Sequence, residues 1–264
     1  MVTTSQPISQ FTTTEPEGVA ETEQHSLRAT VPYHLLPGML ILAVASAAMP
    51  LVTAAGFPPL AAMAAAILVA QLPVQLGHLL RLGWRRNGRL SLAGVVLYRR
   101  RLPRWQYPLW GLGILVWGIV VALLLQSVST GMLKTVFAWV PSGFTGTSSS
   151  DAAGYSAYPR TVLLITFGAM LLLNGVAAPI VEELYFRGYL LPRLSRLGWK
   201  APLLQTILFT LYHFWQPWLY PTLLLTVAGF IFPVGRLRSI SVGIWGHCAL
   251  NLSGGLAMVA LILA

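Results

Sequence analysis

Two adjacent glutamates, Glu182 and Glu183, stand in the apolar stretch Ala178–Arg187, and Arg187 follows the second of them by four residues. Beyond Val31 the chain has only one other acid, Asp151. Two histidines lie in apolar surroundings farther along. His213 falls in Phe-Thr-Leu-Tyr-His-Phe-Trp, with Phe209 one helical turn before it, and His247 precedes Asn251 by four residues. A carboxylate beside an imidazole can take a proton from water, and an imidazole–amide pair can donate hydrogen bonds to a developing oxyanion. Together those groups suit hydrolysis of a carbonyl compound.

Helix geometry divides the two acids. Glu183 and Arg187 share a face in the favourable acid-first order, whereas Glu182 lies about 100° around the helix. Glu183 is then a structural acid and Glu182 a free one, desolvated and beside a like charge, suited to act as a general base. The plainer alternative is a helix end whose acids snorkel to the interface and pair with nearby arginines. A second alternative is a divalent metal held by Glu182, His213 and His247 with an open position. No His-Glu-x-x-His segment supports a zincin-type site. Cys248, the single cysteine, allows no intrachain disulfide or cysteine-based zinc cluster. Ser253 before Gly254-Gly255 has no partnered base.

The elements that must position these residues are membrane spans. Of 264 residues 56% are hydrophobic and 9% charged, with a mean hydropathy of +0.69. A soluble domain carries about 25% charged residues, so the composition excludes a water-soluble globule. Seven apolar stretches read as spans of an all-α polytopic helix bundle: Leu35–Gly56, Pro58–His78, Trp105–Val128, Thr161–Glu183, Ala201–Gln216, Pro221–Val234 and Ile240–Leu263. The fifth and sixth are short, which suggests tilt or partial re-entry. Residues 1–30, holding four of the seven acids, read as a disordered cytoplasmic tail. No signal-peptide pattern begins the chain.

Orientation follows from charge. Eight arginines and no acid occupy Arg81 to Arg104, which makes the 79–104 loop cytoplasmic. Residues 129–160 read as an external loop. Arg187, Arg193, Arg196 and Lys200, then Arg236 and Arg238, return the pattern to the inside. The N-terminus is expected in the cytoplasm and the C-terminus outside, in a cell membrane. The net charge of +10 therefore points to topology and anionic lipid rather than to nucleic acid. The aromatic stretch from Phe209 to Tyr220 reads as an interfacial belt near the outer side. Spans 31–128 carry no reactive motif, and residues 161–264 form the expected catalytic core.

Glu182-Glu183-Leu-Tyr-Phe-Arg187-Gly188, then Phe209-x-x-x-His213, then His247-x-x-x-Asn251, resemble the three motifs of the CPBP family. That family includes type II CaaX prenyl endopeptidases and bacteriocin-processing or self-immunity proteins. The resemblance runs from about Thr161 to the C-terminus. It implies an intramembrane glutamate endopeptidase with an interior cavity reached from the cytoplasmic side, cutting a peptide bond near that face. By motif, Glu182 and His213 would bind and activate water, and His247 and Asn251 would form the oxyanion hole. Glu183 and Arg187 would hold the site together. No cofactor is required on this reading, with a divalent metal as the alternative. The implied partners are a membrane-associated peptide or protein substrate and the bilayer. A non-catalytic immunity or scaffold protein of the same fold is the competing class. A transporter fits less well, because the chain shows no inverted repeat.

Overall fold

A chain that crosses hydrocarbon must pair its backbone polar groups within each segment, which favours helices. The computed structural model describes residues 22–145 and 152–263. Seven principal helices make up the all-α fold among them: α1 Leu27–Ala54, α2 Leu60–Asn87, α3 Gln106–Lys134, α4 Arg160–Leu197, α5 Lys200–Tyr212, α6 Tyr220–Leu237 and α7 Ile240–Leu263. No strand occurs among the described residues, and one isolated bridge joins Arg99 to Ser239. All but α5 belong to segments long and apolar enough to cross a bilayer, α6 with the preceding turn from Pro217. The chain is a multi-pass helical membrane protein.

Helix α5 has 13 residues, a rise of about 20 Å against the ~30 Å of a hydrocarbon core. It stops at Tyr212, because His213 leaves the helical region at φ −81°, ψ 55°. The expected span to Gln216 is therefore too long by four residues. His213 terminates a helix instead of sitting within one.

The tail also ends earlier than expected. Residues 1–21 of it, like Asp151, lie outside the described residues. Ser26 caps α1, its Oγ accepting from the Ala29 N–H at 3.2 Å, so the helix begins at Leu27. Just before it, the His25 N–H donates to the Arg193 carbonyl at 2.9 Å. A serine cap needs no apolar run, which is why hydropathy places the boundary too late.

Prolines shape the interior of two helices. A proline removes an N–H and crowds the carbonyl four residues back. In α2 a π-helical turn, Ile67–Gln71, comes directly before Leu72-Pro73. In α4 another, Leu173–Ala177, comes before Ala178-Pro179. These wider turns change which residues face the bundle interior. They present Gln71 and the Asn174 carbonyl to the site described below.

At the arginine-bearing end the loop after α2 is docked across the bundle. The Leu97 N–H donates to the Gly188 carbonyl at 2.7 Å, and Arg100 N–H to the Arg238 carbonyl at 3.0 Å. The core beneath is aromatic. Phe186 meets Phe209 edge-on at 4.8 Å between centroids and Tyr212 at 5.0 Å. Such pairs contribute about 0.5–1.5 kcal/mol each, in a setting where packing replaces the hydrophobic effect as the associating force. Phe209, Tyr212 and Trp218 are buried. They are core residues and not the interfacial belt expected of that stretch: Phe209 and Tyr212 lie on the inward face of α5, whose other face exposes Leu203, Ile207 and Leu211.

Candidate active site

Glu182 and Glu183 sit where α4 passes from an α-helical turn to the π-helical turn Glu183–Leu190. Glu182 is 5% exposed, Glu183 and Arg187 are both at 0%. Burial of two adjacent carboxylates demands compensation. Arg187 Nη1 lies 3.3 Å from Glu183 Oε1, the pairing that helix spacing anticipates. The guanidinium carbon also lies 4.0 Å from the Phe209 ring centroid and 4.8 Å from that of Phe230. Arg187 is thus held by one carboxylate and two aromatic faces, a cation–π arrangement strengthened by desolvation.

His247 bridges the two acids. Its Nδ1 lies 3.1 Å from Glu183 Oε1 and its Nε2 3.6 Å from Glu182 Oε2. The Glu183 contact fixes the ring's orientation and sets Nε2 toward Glu182. This bridge is absent from the sequence reading, which assigns Glu183 to Arg187 alone.

Glu182 is held from its other side. Its Oε1 accepts from Gln71 Nε2 at 2.8 Å and from the Tyr212 hydroxyl at 3.1 Å. Gln75 Nε2 in turn donates to the Tyr212 hydroxyl at 3.1 Å. One carboxylate oxygen is therefore fully engaged, and the other faces His247. Gln71, Gln75 and Tyr212 escape the sequence reading. An intramembrane glutamine one turn from another on α2 is the signal that could have found them, since polar side chains in a span seek partners inside the bundle.

His213 is oriented by the end of its own helix. Its Nδ1 lies 2.8 Å from the Phe209 carbonyl, one of the carbonyls that a helix C-terminus leaves without an intrahelical donor. Because a carbonyl only accepts, Nδ1 carries the proton and Nε2 keeps its lone pair. The Phe209 ring lies 4.9 Å from the His213 ring and 6.2 Å from that of His247. Phe209 therefore packs against both histidines as well as Arg187. Asn251 Nδ2 donates to the Asn174 carbonyl at 2.9 Å, which leaves its second N–H for another acceptor.

Glu182, His213, His247 and Asn251 all line one cavity of about 580 Å³. Gln71 and Asn174 line it as well, while Leu60, Met63, Phe167 and Met258 form apolar wall. His247 stands in the arginine-bearing half of α7, seven residues beyond its start, a rise of about 10 Å, while Asn251 is at the middle of that helix and His213 at the far end of α5. The cavity extends from these groups toward Leu60 and Met258, at the opposite ends of their helices. It thus runs away from the arginine-bearing face from which the resemblance implied access.

A divalent metal does not fit these donors. Among the described residues no group of three or more His, Cys, Asp or Glu side chains is arranged to hold one. The suggested triad of Glu182, His213 and His247 would have to bind through Glu182 Oε2 and the two Nε2 atoms, because Glu182 Oε1 accepts from Gln71 and Tyr212 while Phe209 holds His213 Nδ1 and Glu183 holds His247 Nδ1.

Residues 164–253 match a family model described as type II CAAX prenyl endopeptidase Rce1-like. The matched segment begins within α4 and ends within α7, and so contains all three motifs. Gln71 and Gln75 lie outside it. No curated protein and no solved structure matches the chain.

Proposed function

We propose, because residues 164–253 match the type II CAAX prenyl endopeptidase Rce1-like family model, a family of intramembrane proteases, that the chain is a glutamate endopeptidase whose four working groups are Glu182, His213, His247 and Asn251. The observation that carries this reading is Glu182: one oxygen is pinned by two donors, and the other is free in a cavity shared with two imidazoles and an amide. Water held between Glu182 Oε2 and His213 Nε2 loses a proton to the carboxylate as its oxygen adds to the peptide carbon. The carbonyl oxygen becomes an oxyanion, met by the spare N–H of Asn251 and by His247 Nε2–H when that ring is protonated. At 3.6 Å from Glu182 that nitrogen is beyond hydrogen-bond length and is available to an oxyanion formed beside Glu182. Collapse breaks the C–N bond, and Glu182 returns its proton to the leaving amine.

Glu183 and Arg187 act as positioning residues, Glu183 through His247 and Arg187 through Glu183. Residues 161–264 form the catalytic core, with 31–128 contributing Gln71 and Gln75. The positive-inside rule supports a cytoplasmic N-terminus and arginine-bearing face, with an external C-terminus and 129–160 loop in a cell membrane. The substrate is a membrane-associated peptide or protein.

Purified protein in liposomes is expected to cut such a peptide, and Glu182→Gln to lower kcat by about 10²–10⁴-fold, the usual contribution of a general base, without lowering thermal stability. Turnover by the variant at the wild-type rate would remove this reading. If alanine at all four positions left the biological phenotype intact, a non-catalytic role would replace it.

A further inference from the structure

The cavity has a mouth, and its position is informative. Among the residues that line it, the ones exposed at the protein surface are Ala122, Gly254 and Ala257. Ala122 is on α3 and the other two are on α7. These helices run parallel and touch closely in their arginine-bearing halves, where Gly111 lies against Trp245 and Gly246 against Ile114. At Gly111 a Cβ would touch the Trp245 backbone, whereas at Gly118 it would meet only the Leu250 side chain, so the two main chains approach most closely in the arginine-bearing half. One turn beyond Gly118, the contact gives way to the opening. Side chains no larger than a methyl group border it.

The surface around the mouth is apolar. Ile119, Leu123 and Leu124 on α3 and Leu256 on α7 are exposed, which in a membrane span means that they face hydrocarbon. From the mouth inward, the wall passes from Met63, Phe167 and Met258 to the polar groups at Gln71, Asn251 and Glu182. Along α7, Gly254 and Ala257 lie beyond His247 and Asn251 by about 5–15 Å at 1.5 Å per residue. The cavity is therefore an apolar passage from the bilayer that ends at a polar floor.

We propose that the substrate enters sideways from the bilayer between the arginine-distal halves of α3 and α7, and that it is a polypeptide with an apolar membrane-embedded segment. The bond to be cut lies at the end of that segment nearest the arginine-bearing face. This inference deepens the protease reading and rests on it for the word substrate, while the route of entry stands on the cavity itself.

The test uses the full chain in liposomes with a quenched fluorescent peptide whose apolar segment spans the bilayer. Ala122→Trp and, separately, Ala257→Trp are expected to lower kcat/KM by about tenfold or more. Leu112→Trp, exposed in the arginine-bearing half of α3 and outside the cavity lining, should leave it unchanged. A second readout does not require catalysis. In a Cys248→Ala background, Met63→Cys on the far wall should react with an apolar maleimide dissolved in the bilayer and not with a charged, impermeant one. Adding Ala122→Trp should slow that reaction. Undiminished cutting by both tryptophan variants overturns the proposal, as does labelling of Met63→Cys by the charged reagent regardless of Ala122→Trp. Faster cutting of a water-soluble prenylated peptide of the same sequence, unaffected by the tryptophans, overturns it too. Should the wild type cut no peptide while the labelling pattern holds, the protease reading fails and the route of entry stands.

Discussion

Tyr212→Phe removes one oxygen from the support of Glu182. Glu182 Oε1 accepts from Gln71 at 2.8 Å and from Tyr212 at 3.1 Å, so the variant leaves the shorter bond in place and a gap where the hydroxyl was. A hydrogen bond to a charged group contributes about 1.5–3 kcal/mol. If that loss falls wholly on the transition state, kcat drops by about 10- to 100-fold. Gln75 Nε2 loses its acceptor at the same time, so some loss of thermal stability accompanies the rate effect. The control is Tyr185→Phe, which deletes another hydroxyl, one that donates to the Tyr33 carbonyl at 2.9 Å and does not touch the carboxylates. The assay is turnover in liposomes with kcat and KM determined separately. A positioning role lowers kcat in Tyr212→Phe, leaves KM near wild type, and spares kcat in Tyr185→Phe. Equal kcat in the two variants would refute the claim that Tyr212 aims the carboxylate.

Asn251→Ala is expected to lower kcat by about 10²–10³-fold, as loss of one oxyanion donor does, with KM little changed in steady-state kinetics. Gly243→Ala should destabilise the protein by about 1–3 kcal/mol, because its Cβ would run into Glu183 Oε2, a carboxylate tethered by Arg187 and His247. Thermal denaturation in detergent checks this, and the sign is opposite to the gain that helix propensity predicts for alanine. His25, outside the spans, stacks on Tyr33 at 5.1 Å between centroids. Burial, and after it the Arg193 charge, lower its pKa; Glu23 opposes this and His78 adds to it. The folded state therefore favours neutral His25, a contribution present above the ordinary value near 6.5 and lost as pH falls through the lowered one. Limited proteolysis of residues 22–26 should speed up over that acidic window, and His25→Phe should abolish the pH dependence.

Much of this architecture is legible in the chain because a bilayer imposes simple rules. Apolar length marks the spans, arginine runs mark one face, and the scarcity of acids beyond Val31 makes Glu182 and Glu183 conspicuous. Spacing of four along one helix also determines that Glu183 meets Arg187, since partners one turn apart are neighbours whatever the rest of the fold does. The exit of α5 at His213 is less legible, because it depends on a side chain capping its own helix.

What only the tertiary structure decides are the contacts between helices far apart in sequence. Gln71 and Glu182 are separated by 111 residues, and His247 and Glu183 by 64. No periodicity encodes which interior faces will oppose one another, or that π-helical turns ahead of Pro73 and Pro179 shift those faces. The mouth between α3 and α7 is of the same kind. Its small residues look like ordinary helix-packing glycines and alanines in the chain, and only the divergence of two neighbouring helices leaves them bordering an opening.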